Sequence, residues 1–221
     1  MITQGIIFIL LIFGIFLFSR KVTSELYISL KRLIGIDRVI FLLIASIYFP
    51  GTVIHELSHF FVATALLLKV KTISFIPQWK GNTLRLGSVF YEKKDFIRSI
   101  IIGIAPFFGG LTFFWVIAAT RIFPHGSLLV NLLMVYLIFT VSSMMFSSSQ
   151  DLRDFIFLLP FSVIAMGFVY IFDIRFETFI SFPIIFGAMN QFFNVVNHYL
   201  FISFIINIGV MFFLKIIRNF I

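Results

Sequence analysis

The sequence predicts an all-α polytopic membrane protein of about six transmembrane helices, with a small β-hairpin between the second and the third. Of its 221 residues, 61% are hydrophobic and only 12% are charged, whereas soluble proteins average about 25% charged residues. Long apolar runs follow one another with little polar sequence between them. One connecting segment differs, because β-branched and aromatic residues appear there in short runs, as they do in strands.

Five apolar runs before the C-terminal region are long enough to cross a hydrocarbon core of about 30 Å, which takes about 20 helical residues. They lie at 2–19, 39–68, 96–121, 127–146 and 152–172. From 178 to 217 the chain is apolar for about 40 residues, twice what one crossing needs. This region is one long helix or two, so we expect six spans, with seven as the alternative.

No polar stretch is long enough for a soluble domain, so we expect residues 1–221 to form a single membrane-embedded domain. Its core is 39–172, the N-terminal span and a basic loop occupy 1–38, and the C-terminal span or spans occupy 173–221. Within the loop at 20–38, apolar residues at three-and-four spacing predict an amphipathic helix on the membrane surface.

The net charge of +8 predicts lipid headgroups as partners rather than nucleic acid, because the Lys and Arg residues lie between apolar spans. We therefore expect a multi-pass protein of the cell membrane. Both sides of the second span carry basic residues, so the sequence leaves the orientation open. The chain contains no cysteine, and any metal site must therefore use His, Asp or Glu.

The segment 70–91 is predicted to form the β-hairpin, with a tight turn around Lys80-Gly81-Asn82. An open hairpin cannot face hydrocarbon, because its unpaired edge groups would lack hydrogen-bond partners. We expect it to lie in the interface or against the helices.

The strongest motif is His-Glu-x-x-His, formed by His55, Glu56 and His59 within the second span. Histidines four apart share one helix face, and both rings can reach one ion at about 2.0–2.1 Å. Glu56 lies beside that ion, where it can take a proton from zinc-activated water and return it to a leaving amine. The alternative is inert interhelical hydrogen bonding, but ionisable groups cost roughly 2.5–3.5 kcal/mol each at mid-span, so three together indicate a function.

Small residues and a proline accompany this motif. Pro50-Gly51, one turn before His55, predict either a packing kink or a local opening that admits water. In "GIAPFFGG" (103–110), the small residues predict a close approach of helices.

A catalytic zinc site keeps three protein ligands and one open position, so one more ligand is needed. The candidates are Asp151, Asp154, Glu177, His125 and His198.

The order of features resembles the site-2 protease family of intramembrane zinc metalloproteases. In that family, a helix with His-Glu-x-x-His is followed by a β-hairpin, a helix with small residues, and a helix with an Asn-x-x-Pro-x-x-x-Leu-Asp-Gly-like motif. Here "HELSH" (55–59) precedes the hairpin (70–91), "GIAPFFGG" (103–110) and "SMMFSSSQDLRD" (143–154). The resemblance covers roughly 45–155.

The resemblance implies Asp151 as the third zinc ligand. Ser143 lies eight positions before it, where the family often has Asn, while the proline and the final glycine of the family motif are absent. Asp154, one helical turn on, is the reserve. A different zinc class uses a downstream glutamate, which keeps Glu177 open.

The predicted function is that of an intramembrane zinc metalloendopeptidase. It would hydrolyse peptide bonds in or near transmembrane segments of membrane-protein or peptide substrates, through a zinc-activated water. The alternative is a non-catalytic membrane scaffold or a metal-binding transporter that retains the zinc motif.

A polar stripe lies on the last apolar segment, where Asn190, Asn194 and His198 fall at i, i+4 and i+8. This spacing predicts that the stripe faces the interior of the helix bundle. Interhelical hydrogen bonding is one interpretation, and substrate binding by Asn190 and Asn194 is the other. His125, in "FPHGS", is predicted to be a turn residue at the interface.

Overall fold

The protein is mostly helical in the computed structural model, which describes residues 2–80, 83–92, 95–146 and 183–220. The helices are α1 (Ile2–Ile34), α2 (Asp37–Ala65), α3 (Phe96–Gly103), α4 (Ala105–Thr120), α5 (Leu128–Met144) and α6 (Pro183–Phe220). The strands are β1 (Val70–Ser74), β2 (Gln78–Lys80), β3 (Thr83–Arg85) and β4 (Ser88–Tyr91).

Four helical segments in these ranges are long and apolar enough to cross a membrane: Thr3–Ile34, Asp37–Ala65, Phe96–Thr120 and Gly187–Phe220. The apolar α5 is shorter, at 17 residues. The prediction of a helical membrane protein is therefore confirmed. The span expected at 152–172 lies outside the described residues, and the total of six spans stays a prediction.

The prediction of a loop at 20–38 is wrong, because α1 continues as an unbroken helix to Ile34. No Gly or Pro lies between Arg20 and Ile34 to interrupt the helix, and Gly35, with a positive φ of 72°, ends it. With 33 residues, α1 is about 50 Å long. It therefore exceeds the hydrocarbon thickness of about 30 Å, and the predicted surface helix is its extension.

The C-terminal apolar region forms one helix over 183–220, and this helix packs parallel to α1. Near the start of α1, Gln4 accepts hydrogen bonds from Asn197 Nδ2 of α6 through its backbone oxygen and its side-chain Oε1, at 3.0 and 2.9 Å. Near their ends, Arg218 and Glu25 form an ion pair of 2.7 Å. These two contacts bracket a long apolar seam between the first and last helices.

Helix α2 packs against α4 and α5 through small residues. A methyl group at Gly51 would clash with the Thr140 backbone of α5, and one at Gly109 of α4 would clash with Ser58. The Tyr136 hydroxyl of α5 also donates to the Ile47 carbonyl at 2.8 Å. The small-residue prediction for 103–110 is confirmed, and Gly51 takes part in helix packing.

The predicted hairpin is confirmed and is built from two antiparallel pairs. The outer pair joins β1 to β4 in the register Ile73↔Val89, and the inner pair joins β2 to β3 with Trp79 opposite Leu84. Leu86, between the two pairs, packs against an apolar cluster that includes Val22 and Tyr48. The hairpin therefore folds against the helices, as the requirement for satisfied edge groups predicts.

Candidate metal centre

The side chains of His55 and His59, one turn apart on α2, point at each other. Their Nε2 atoms are 3.2 Å apart, and the two rings are nearly perpendicular, at 84°. His55 is 6% exposed and His59 is 9% exposed. The i, i+4 spacing thus brings the two nitrogen atoms together in a site shielded from solvent.

The other ring nitrogen of each histidine is held by a backbone carbonyl from a different helix. His55 Nδ1 lies 2.8 Å from the Met144 oxygen of α5, and His59 Nδ1 lies 2.9 Å from the Ile102 oxygen of α3. A carbonyl oxygen can only accept a hydrogen bond, so Nδ1 carries the proton in both rings. In the neutral rings, both Nε2 atoms therefore present a lone pair toward the space between them.

This arrangement fits a zinc ion. Two lone pairs 3.2 Å apart repel each other unless a cation or a proton lies between them. Tetrahedral zinc with Zn–N distances of about 2.0–2.1 Å places two nitrogen ligands about 3.3–3.4 Å apart. Zinc-bound histidines also usually donate their second N–H to a carbonyl or carboxylate, and both rings already do so.

The two carbonyls come from helix ends, which adds a favourable electrostatic contribution. Met144 is the last residue of α5, and Ile102 is the penultimate residue of α3. Carbonyls in the last turn lack intrahelical partners and carry the negative end of the helix dipole. Two such ends directed at the histidine pair favour a bound cation.

Glu56 lies at the junction between α2 and the hairpin. It is buried, with 6% of its surface exposed, and Gly87 approaches its side chain closely. A methyl group at Gly87 would lie 2.7 Å from Glu56 Oε1 and 2.6 Å from its Cγ. The absence of a side chain at position 87 thus leaves room for the carboxylate beside the hairpin.

Among the residues that the structure describes, no group of three or more His, Cys, Asp or Glu side chains could hold a metal ion. Asp151, Asp154 and Glu177 all lie outside the described ranges. Asp151 follows Met144 by seven positions, and an extended chain spans about 3.3–3.6 Å per residue. Chain length therefore permits Asp151 to reach the pair, and its role stays a prediction.

The other two histidines lie away from this pair. His125 is a turn residue before α5, as predicted. Its ring Nδ1 accepts from the backbone N–H of Ser127 at 3.1 Å, and its backbone N–H donates to Asn131 Oδ1 at 2.7 Å. His198 lies on the exposed face of α6. Neither belongs to a metal-binding group in the described part of the chain.

The orientation predicted for the polar stripe of α6 is wrong. Asn190, Asn194 and His198 are all exposed, while the neighbouring Asn197 is buried. The face of α6 that packs on α1 passes through Asn197, about 100° around the helix from His198. No described contact tests substrate binding by Asn190 or Asn194, which stays a prediction.

Sequence reasoning missed Gly87 at the site and a polar contact between α5 and α6. Gly87 carried a usable signal, since a glycine within a strand pattern often marks a close backbone approach. Ser203 and Asn207 of α6 were also missed, although their i, i+4 spacing is a signal for helix contact. Ser203 Oγ donates to Ser142 Oγ of α5 at 2.5 Å, and Asn207 Nδ2 donates to the Ser203 carbonyl at 2.9 Å.

No family model matches the chain, and no curated protein or solved structure matches it either. The described residues define a helical membrane protein with a buried histidine pair and a hairpin that is folded against the helices.

Proposed function

We propose that this chain is an intramembrane zinc metalloendopeptidase that cleaves peptide bonds in or near transmembrane segments. The observation that carries the proposal is the histidine pair, with Nε2 atoms 3.2 Å apart and each Nδ1 within 2.9 Å of a carbonyl oxygen. This geometry prepares both rings to bind a cation before it arrives. The resemblance to site-2 proteases, which rests on the motif and the order of elements, supports the same class.

The proposed ligands are His55, His59 and Asp151, the last on the strength of the resemblance alone. A zinc ion held there would polarise the scissile carbonyl and make water a better nucleophile near neutral pH. Glu56 is the proposed general base. Its carboxylate takes the proton of the attacking water and later returns it to the nitrogen of the leaving amine.

The position of the hairpin suggests how a substrate is presented. Peptide groups within a helix are hydrogen-bonded internally, so a transmembrane substrate must unwind before its carbonyl can be attacked. An unwound strand then needs backbone partners, which a hairpin supplies by strand addition. Gly87, between β3 and β4, contacts the Glu56 side chain, so a strand paired to this hairpin would lie close to the catalytic carboxylate.

Gly87→Ala tests the contact between the hairpin and Glu56. Its methyl group would lie 2.6–2.7 Å from the Glu56 side chain, so the carboxylate has to move, and we expect cleavage to fall by about 10-fold or more. Zinc content should stay unchanged, because no ligand is touched. Gly126→Ala, where nothing lies within 4 Å, is the control and should cleave normally. Equal rates in both variants would remove the hairpin from the mechanism.

Metal analysis of the purified protein tests the site itself. We expect about one zinc per chain in the wild type, and little in His59→Ala or Asp151→Ala, because a zinc site with two protein ligands is much weaker than one with three. His125→Ala is the matched control, since His125 is exposed and bonded within its own turn. It should keep its zinc.

The outcomes of this experiment also separate the alternatives. If Asp151→Ala keeps zinc, the third ligand is elsewhere, and Asp154→Ala and Glu177→Gln become the next variants. If the wild type prepared without chelator holds no zinc, the metalloprotease proposal fails. The chain is then better described as a non-catalytic membrane scaffold that retains the motif.

A further inference from the structure

We propose that Pro106 is a positioning residue: it keeps the Ile102 carbonyl available to the His59 ring and so sets the tautomer of that ring. The significance of this tautomer for zinc rests on the proposed function. The hydrogen bond between the Ile102 carbonyl and the His59 ring does not depend on the proposed function, and it can be tested without metal.

A break at Ile104 separates α3 from α4. In a continuous α-helix, the Ile102 carbonyl would accept from the N–H of residue 106. Residue 106 is proline, which has no N–H. The Ile102 oxygen instead lies 2.9 Å from His59 Nδ1. The carbonyl that lacks its helical donor is therefore the one that accepts a hydrogen bond from His59.

The hydrogen bond matters both to the Ile102 carbonyl and to the His59 ring. Ile102 is fully buried, and a buried carbonyl without a donor is energetically costly. The His59 N–H therefore satisfies a backbone group that Pro106 cannot. In return, the carbonyl holds the proton on Nδ1 and leaves the Nε2 lone pair directed at His55. Pro106 lies in the first turn of α4, where a proline fits the helix without strain.

Two other histidines, His55 and His125, serve as internal controls for the effect of Pro106 on the His59 tautomer. His55 Nδ1 is held by Met144, a carbonyl at the end of another helix, so its tautomer does not depend on Pro106. His125 is held in the opposite way, since its Nδ1 accepts from the Ser127 N–H and the ring proton must therefore lie on Nε2. One sample thus contains the affected ring, an unaffected ring of the same tautomer, and a ring of the other tautomer.

The test is long-range ¹H–¹⁵N spectroscopy of the full chain labelled at histidine, in detergent, without metal and at about pH 8, where unperturbed imidazoles are neutral. In the wild type we expect His59 and His55 to carry the proton on Nδ1 and His125 to carry it on Nε2. In Pro106→Ala, the new N–H competes for the Ile102 carbonyl. We expect a detectable Nε2–H population at His59 alone, with His55 and His125 unchanged.

Zinc titration provides the second readout. Loss of such a supporting hydrogen bond typically costs 10–100-fold in metal affinity, so we expect the Kd for zinc to rise by about 10-fold in Pro106→Ala. A wild-type His59 protonated on Nε2 would overturn the inference without any variant, and so would a Pro106→Ala protein whose His59 keeps the pure Nδ1–H form. A wild type with the expected tautomers but no zinc binding would instead contradict the proposed function.

Discussion

Glu56→Gln is expected to lower the rate of peptide-bond hydrolysis by about 1,000-fold while the protein keeps its zinc. General acid–base catalysis contributes about 10²–10⁴ to such reactions, and a glutamine amide cannot take the proton of the attacking water. The substitution preserves the shape of the side chain, so the packing against Gly87 should survive. The measurement is cleavage of a transmembrane model substrate in detergent, with zinc content determined on the same preparation.

A matched control separates loss of the base from a general loss of carboxylates. Glu92→Gln changes an exposed carboxylate whose partner is Lys71, at 3.4 Å. An exposed ion pair contributes little to stability, so this variant should cleave at the wild-type rate. If Glu56→Gln also cleaves normally, Glu56 is not the base. If Glu56→Gln loses zinc as well as activity, its carboxylate has a structural role at the metal.

The part of the fold that sequence predicted well is the part that the membrane itself dictates. Long apolar runs must form helices because hydrocarbon offers no hydrogen-bond partner to the backbone. The strand segment at 70–91 was recognisable by the same reasoning, since its residue types differ from those of the spans. The error at α1 arose because hydropathy changes at Arg20 whereas the backbone continues as helix to Ile34.

The candidate site could be predicted only as far as its side chains. The spacing of His55 and His59 placed both rings on one face, and the structure brings their Nε2 atoms to 3.2 Å. The carbonyls of Ile102 and Met144 could not be predicted, because every residue carries the same carbonyl and only tertiary packing determines which one meets a ring. The error for Asn190 and Asn194 has the same origin, since the buried face of α6 depends on where α1 lies.

Gly51→Ala is expected to give the largest loss of stability, because the added methyl group has no room. It would lie 2.6 Å from the Thr140 carbonyl carbon and 2.8 Å from Met144 Cγ, and the backbone of α5 cannot rotate away as a side chain can. Overpacking typically costs about 1–3 kcal/mol, and we expect the upper part of this range. The measurement is thermal unfolding of the detergent-solubilised protein.

The same substitution should also remove zinc. Gly51 lies one helical turn before His55, and α5 provides the Met144 oxygen that holds the His55 ring. Separating α2 from α5 therefore breaks this hydrogen bond together with the packing. Gly209→Ala is the control: nothing lies within 4 Å of its added methyl group, and replacing a mid-helix glycine should stabilise the protein by about 0.5–1 kcal/mol. A Gly51→Ala protein that melts like the wild type would contradict the close approach of α2 and α5, and with it the orientation of the His55 ring by Met144.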